Sequence, residues 1–592
     1  MVHPCTTKEA LLIQSFLSVW TPSNGRVSFI DSDAGVDSRA DESDVRRWLA
    51  VGSPLAAGWM VQEGDVIMGN SGNAIRISVS CLIVSLLAAC GGGGGGSSAP
   101  PNSNSPPAAA PATGFDVGQF QPSAQFKNLC AAPRSGSGVP DRQGTTTDEN
   151  NWLRSWSNEL YLWYNEITDQ DPRNFSTSDY FGRMKTTALT GSGAAKDRFH
   201  FTIPTAEYEA LSESGIEAGY GAKFVVIASS PPRDVRVAFV TAGSPAAAAG
   251  LVRGTRMIAV DGAIVVDTSN VAALNAGLFP DGTGEEHRFE VMVPDETTAR
   301  TVTLTSAEIS IDPVDNLKVI NVAGDDVGYM HFNNHIAPAE EDLVSAFRFL
   351  RDQNVDDLVL DLRYNGGGFL DIANETAFMI AGASARGKVF EEVRFNNKHP
   401  VTNPVTNERL QPDRFHETTQ GFSGPQGVAL PLLNLRRVFV LTTARTCSAS
   451  EAIINGLRGT GVEVIQIGGT TCGKPFGFYA TGNCGTTYFS IQFQAVNALG
   501  FGDYPDGFGQ TAGAVQTPGC EATDDFTKQL GDPDERLLST ALAYQNTGSC
   551  PVSSRPLVES EGIAINKPGE YEVENEGAEL VEPQFPGAVK RL

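Results

Sequence analysis

Three short segments of this 592-residue chain hold residue types that could together build one nucleophilic site. Ser448, in Thr446-Cys447-Ser448-Ala449-Ser450-Glu451, follows the apolar run Arg437–Thr442 and precedes the helix-forming stretch Ala452–Leu457. At a strand-to-helix junction a serine Oγ can stand above a sheet, with the first unpaired N–H groups of the helix aimed at what it attacks. Lys474 ends the glycine-rich turn Gly468-Gly469-Thr470-Thr471-Cys472-Gly473-Lys474, after the apolar run Val462–Ile467. A neutral lysine can take the serine proton. At an unperturbed pKa of about 10.4 only about one lysine in a few thousand is neutral at pH 7, a penalty of roughly 4 to 5 kcal/mol. Burial beside apolar groups lowers a lysine pKa by up to about 3 to 5 units, and Cys472, Pro475, Phe476 and Phe478 offer that setting. In the third segment, Asn365-Gly366-Gly367-Gly368, the N–H groups of Gly366 and Gly367 are candidates, with that of Ala449, for an oxyanion hole. Glycine there permits close approach of a carbonyl.

Taken singly, a serine before a helix is usually an N-cap and a Gly-Lys pair a surface turn. The elements around the three segments give them a common frame. From about Asp312 to Cys550 strand, helix and loop alternate: Val327–Phe332 reads as a strand, Glu340–Asp352 as a helix with Leu343, Phe347 and Leu350 on one face, and Leu358–Arg363 as a buried strand. Arg437–Thr442 and Val462–Ile467 follow as further buried strands, so the reactive residues fall just past strand ends in a layered α/β core. Upstream, Asn150 to about Leu211 has the mixed three and four spacing of a helical segment (Trp152, Leu153, Trp156, Leu160, Leu162, Trp163), and Lys196–Thr202 turns extended. From about Ser214 to Ser306 short β runs are punctuated by Gly, Pro and Asp. Within them, Ser244-Pro245 starts a short helix, Gly250 stops it, and Asp261-Gly262 makes a turn. The expected fold is multidomain α/β: a helical segment over 146–213, a β domain over 214–306, a core over 307–550 and an acidic tail over 551–592.

The order DLRYNGGG, TCSASE, GGTTCGKPFG resembles the carboxyl-terminal processing (tail-specific) serine protease family, with the β domain ahead of it as in that family. SPAAAAGL (244–251) and the following Val260-Asp261-Gly262 resemble the PDZ domain of bacterial proteases, although Thr255 and Arg256 replace the usual Gly-Asp continuation. The resemblance implies Ser448 as nucleophile and Lys474 as general base, 26 residues apart as in the family. It implies no cofactor and no metal, and as partners protein or peptide substrates with a free carboxy-terminus, which a PDZ domain takes by strand addition and a loop of backbone N–H groups. Gly219, Tyr220, Gly221 and Ala222 are the candidate loop. The best-known relatives carry a Gln four residues after the lysine to orient it, and Phe478 stands there. Gln492 and Gln494, on one face of the expected strand Tyr488–Ala495, are the substitutes, with Glu451 ranked below them as a residue free to face solvent. A disulfide between Cys447 and Cys472 would brace the dyad.

Residues 68–90 have the shape of a signal peptide: a polar start, the apolar run Ile77–Ala89, and Cys90. The run is shorter than the roughly 20 residues that span a bilayer. Leu87-Ala88-Ala89-Cys90 resembles the bacterial lipobox, which makes Cys90 a lipidation site and the membrane a partner through that anchor. Gly91–Gly96 and the Pro-rich stretch after it read as a tether over 91–145, and residues 1–67 as lying ahead of the true start. Localisation at the bacterial cell envelope, facing the periplasm, follows; Gly91 after the cysteine favours the outer membrane. Six cysteines remain after Cys5, Cys81 and Cys90, an even number that suits export. With 43 Lys+Arg against 69 Asp+Glu the net charge is -26, which argues against nucleic acid as a partner. Two other functions fit parts of the pattern: a catalytically inactive protein that only captures peptide carboxy-termini, and an α/β hydrolase acting on small thioesters.

Overall fold

The computed structural model describes residues 115–551, with four three-residue strands upstream. Those four form two antiparallel pairs, Val27–Phe29 with Ser38–Ala40 and Val66–Met68 with Ile75–Ile77, in a unit spanning Met1–Ala110. Cys90, the apolar run from Ser78 on, the glycine run and the tail beyond Pro551 lie outside the described residues. No described helix is long and apolar enough to cross a membrane.

The unit beginning at Pro111 is built around a six-stranded sheet in the order Val314–Val322, Asp325–Phe332, Asp357–Asp361, Arg437–Thr442, Glu463–Gly468, Gly519–Cys520. The first pair is an antiparallel hairpin, and every later neighbour is parallel. Parallel strands need crossovers, and helices Ala339–Asp352, Leu370–Ala381 and Ala449–Thr460 lie on the three connections between neighbouring strands from Asp325–Phe332 to Glu463–Gly468. The apolar runs are continuous because both faces are covered. Leu358, Leu360, Val438 and Val440 pack with those three helices, while Val359, Phe439, Leu441 and Ile465 face Leu537, Leu538 and Ala541 of helix Arg536–Thr547. The disulfide Cys520–Cys550 joins the end of this chain segment to the edge strand.

Helix Thr146–Leu160 starts with a capping box between Thr145 and Asp148. Trp152 and Trp156 stack at 5.1 Å, and Trp152 meets Tyr488 edge-on at 5.2 Å, so this helix packs on a hairpin of the core. Leu162 and Trp163 lie past its end and pack against the main core. The tether expected over 91–145 is folded from residue 115 on. Leu129–Cys130 pairs with Arg142–Gln143, Phe126 is buried, and Cys130 is bonded to Cys484. A buried aromatic and a disulfide outweigh the Gly/Pro-rich local composition.

Residues 222–305 form a second sheet, in the order Arg300–Thr305, Glu286–Met292, Arg256–Val260, Asp234–Val240, Ala222–Ala228, with helix Val271–Leu278 packed on its core. Ala222–Ala228 is an edge strand. Asp261 and Gly262 turn the chain at positive φ of 49° and 84°, as an Asp-Gly turn requires. The chain enters and leaves this module through paired strands, Ile216–Gly219 against Ala307–Ser310.

At the carboxyl end of strand Asp357–Asp361 the fully buried Arg363 donates to Asp361, Asp524 and Glu535. Removing this guanidinium leaves Asp361 and Glu535 buried without their cation, while Asp524 keeps Arg253. Arg363→Met should lower the unfolding free energy by about 3 to 5 kcal/mol. Denaturant unfolding of the variant checks this, and a loss below about 1 kcal/mol would show that the cluster is not needed.

Candidate active site

The three segments converge because they leave the carboxyl ends of three adjacent parallel strands. Asp361 is in register with Leu441, and Thr442 with Gly468. The loops to Gly366, Ser448 and Lys474 therefore start side by side, the usual place for ligands in open α/β sheets.

Ser448 is the N-cap of helix Ala449–Thr460, 1% exposed, with φ 61° and ψ -109°. Such a backbone is strained for a side chain with a Cβ and persists only where neighbours fix it. One of those neighbours is Glu451, fully buried. Its Oε2 accepts the N–H of Ser448 at 2.9 Å and of Lys474 at 2.8 Å. Its Oε1 accepts Gly473 N–H at 2.8 Å and Thr471 Oγ1 at 2.5 Å. Burial pushes the carboxyl pKa up, and the hydrogen bonds from Thr471, Lys474, Ser448 and Gly473 pull against that rise. The segment before Lys474 is also held by Arg198, which donates to the carbonyls of Cys472 and Pro505 at 2.5 and 3.0 Å. The Cys447–Cys472 disulfide joins the two loops, with Cα atoms 5.1 Å apart.

Lys474 is 3% exposed, and burial brings its pKa from 10.5 down to about 7, against the opposing charges of Asp197 and Glu451. Its Nζ lies over the ring of Phe478 at 4.2 Å and of Phe199 at 5.0 Å. The residue in the position where a Gln was expected is thus an aromatic wall that keeps water from the amine. The neutral fraction grows as pH rises through about 7.

Gly367, at φ 103°, lies against Ser448: a Cβ there would come within 3.0 Å of Ser448 Cβ and Ala449 N. Its own N–H donates to Asn365 Oδ1 at 3.0 Å, which removes it from the expected oxyanion donors. Asn365 Oδ1 also meets His335 Nδ1 at 2.9 Å, and its carbonyl accepts Cys447 N–H. The N–H groups of Gly366 and Ala449 remain as the candidate pair.

A cleft of about 580 Å³ runs from Gly366 and Tyr364 to Gly221 and Ala222 at the start of the edge strand, with Arg253 and Leu530 in its walls. Tyr220 and Gly221 have committed their carbonyls to Ala246 and Thr241, and Tyr220 Oη donates to Gly277. Gly219 is the last residue of strand Ile216–Gly219. Arg253, two residues past the SPAAAAGL segment, reaches Tyr364 Oη at 2.8 Å and Asp524 at 2.5 Å. It thereby ties the β module to the residue before Asn365.

Neither substitute glutamine bonds the lysine among the described residues. The expected strand Tyr488–Ala495 breaks into Thr486–Phe489 and Phe493–Val496, with Gln492 in the gap. Its buried amide accepts Tyr479 N–H at 3.1 Å. Gln494 Nε2 donates to the Gly502 carbonyl at 2.8 Å. The residue ranked below them, Glu451, is the one that links Ser448 to Lys474. Its Ser-x-x-Glu spacing from Ser448 is a capping-box signature, readable in the sequence. Asp197, Arg198 and Phe199 belong to a run whose sequence predicts only an extended segment. For metals, Cys447, Glu451 and Cys472, and likewise Cys130, Glu149 and Cys484, place ligand atoms within 4.8 Å. In both groups the sulfurs are joined as disulfides, which leaves no thiolate to coordinate.

Residues 326–477, which hold the three loops, match the model of Peptidase family S41. A carboxyl-terminal-processing protease of Picosynechococcus sp. is 30% identical over 267 residues, 45% of this chain and 56% of the relative. One of Synechocystis sp. is 31% identical over 137 residues, 23% of this chain and 31% of the relative. The chain thus spans little more than half the length of the first of these curated relatives and under a third of the second. Among solved structures, one described as an S41 protease of Bacteroides fragilis is 24% identical, with TM-score 0.49, covering 70% of this chain and all of that one. The photosystem II D1 C-terminal processing protease is 17% identical, with TM-score 0.38, covering 64% of this chain and 94% of that one.

Glu451→Gln replaces one carboxylate oxygen by an NH2 group facing N–H donors. It should lower kcat by about a hundredfold, the cost of misplacing reacting groups by about 1 Å. Steady-state kinetics on a cleavable peptide checks this, and a change below about threefold would leave Glu451 without a positioning role.

Proposed function

We propose that the chain is an exported serine endopeptidase that takes protein substrates by their free carboxy-termini and cuts them with a Ser448–Lys474 dyad. The observation that carries this reading is Glu451. One buried carboxylate holds the amides of a strained serine and of a lysine whose pKa lies near 7. Neutral Lys474 Nζ accepts the Ser448 hydroxyl proton as Oγ bonds to the scissile carbonyl carbon. Charge on the carbonyl oxygen is met by the N–H groups of Gly366 and Ala449. As the C–N bond breaks, the lysine returns the proton to the leaving amine, and a water, deprotonated by the same lysine, releases the acyl group.

The β module is the peptide-capture element of this reading. Its resemblance to a PDZ domain is supported by the open edge strand Ala222–Ala228, the Pro-started helix Pro245–Ala248 and the helix Val271–Leu278 on one core. A carboxy-terminal strand added at that edge would run along the cleft toward Gly366. Arg253 would report its presence to Tyr364. Lipidation at Cys90, with the body in the periplasm at the outer membrane, completes the proposal; the cysteine usage supports the oxidising compartment.

The test is incubation of the full chain with an unfolded protein ending in small apolar residues, beside Ser448→Ala and Lys474→Ala. Cleavage by the parent and a loss of at least about a thousandfold in both variants is expected. Carboxy-terminal peptide binding with no cleavage at any pH up to about 9 would instead favour the inactive capture protein.

A further inference from the structure

Cys447 stands one residue before Ser448, and Cys472 two residues before Lys474. Both are partly exposed, whereas Ser448, Glu451 and Lys474 beneath them are buried. The other two disulfides are placed differently. Cys130–Cys484 ties the segment before the first helix to the Thr481–Phe489 hairpin, and Cys520–Cys550 ties the last helix to the sheet edge. Only the middle bond has both ends on the loops of the dyad.

We propose that Cys447–Cys472 is a thiol–disulfide exchange site that switches the dyad: the oxidised chain is competent and the reduced chain latent. This rests on the Ser448–Lys474 reading and supplies its regulation. The reductant is a dithiol. One of its thiolates attacks a sulfur of the pair, forming a mixed disulfide and expelling the other cysteine as a thiolate. Its second thiol then resolves the mixed disulfide, so that two electrons and two protons reach Cys447 and Cys472 and the reductant leaves as its own disulfide. Partial exposure makes the bond reachable.

Two consequences of reduction act on one group. Two thiols cannot stay at bonding distance, so the sulfurs must separate and the two loops lose their covalent link. Glu451 straddles them, bonded to Ser448 N–H on one and to Gly473 and Lys474 N–H on the other. Further, Cys472 Sγ lies 3.4 Å from Glu451 Oε2, and the sulfurs and the carboxylate share a 4.8 Å sphere. A restored S–H would compete for the oxygen now accepting the amides of nucleophile and base. In a chain made in a reducing compartment and exported as proposed above, the site stays off until delivery.

The experiment uses the full chain poised with dithiothreitol or oxidised glutathione. Differential thiol labelling and peptide mapping give the state of each pair, and the rate at which a fluorophosphonate labels Ser448 reports the dyad without needing a substrate. Expected is a fall of about a hundredfold in labelling rate that tracks reduction of Cys447–Cys472 and not of the other pairs, and recovers on reoxidation. The Cys447→Ser/Cys472→Ser variant should label slowly and ignore reductant. Unchanged labelling with this pair fully reduced would overturn the switch alone, as would resistance of the pair to excess dithiothreitol in the native chain. Absence of Ser448 labelling in the oxidised chain would sink the nucleophile assignment and the switch with it.

Discussion

The Glu451 carboxylate sits where two loops that begin on neighbouring strands have to meet, and the arrangement of the site depends on it. A serine N-cap at positive φ is costly, and the N–H groups of Ser448, Gly473 and Lys474 all need a partner once buried. One side chain, three residues into the helix, meets all three needs. Its own burial raises its pKa, and the donors it gathers act against that rise. Removing water from the site and holding the backbone in place are thus one interaction.

The chemistry of the lysine follows from that enclosure. In water its amine would be almost fully protonated at neutral pH. Here Phe199 and Phe478 stand over it, and the carboxylates of Asp197 and Glu451 oppose the shift without reversing it. The aromatic residue at 478 exchanges an orienting hydrogen bond for exclusion of water. Orientation then falls to the backbone, through Glu451, Arg198 and the disulfide.

The parallel core was legible in the sequence because its strands are continuous apolar runs: Arg437–Thr442 is the same in sequence and structure. Strand ends located the glycine loop, Ser448 and Lys474 for the same reason. Interactions made across the fold were harder to read. Glu451 looks like a solvent-facing helix residue until the Lys474 loop is packed over it. Asp197, Arg198 and Phe199 carry mixed charge and aromatic character with no period, and only their burial against the lysine loop gives them a place. Gln492 fits an alternating strand pattern, yet the chain breaks there to bond Gly477 and Tyr479. The stretch 115–145 reads as linker by composition and is fixed by contacts far away in sequence, including a disulfide that spans 354 residues.

The most direct measurement is the titration of Lys474 itself, by the side-chain carbon shift of selectively labelled lysine in a Ser448→Ala chain, with Lys474→Met to assign the signal. A midpoint near pH 7 is expected, since burial lowers this amine to about that value. A midpoint near 10, the value of a solvated lysine of about 10.4, would mean that the enclosure does not neutralise the amine, and the account of Lys474 as base would fail.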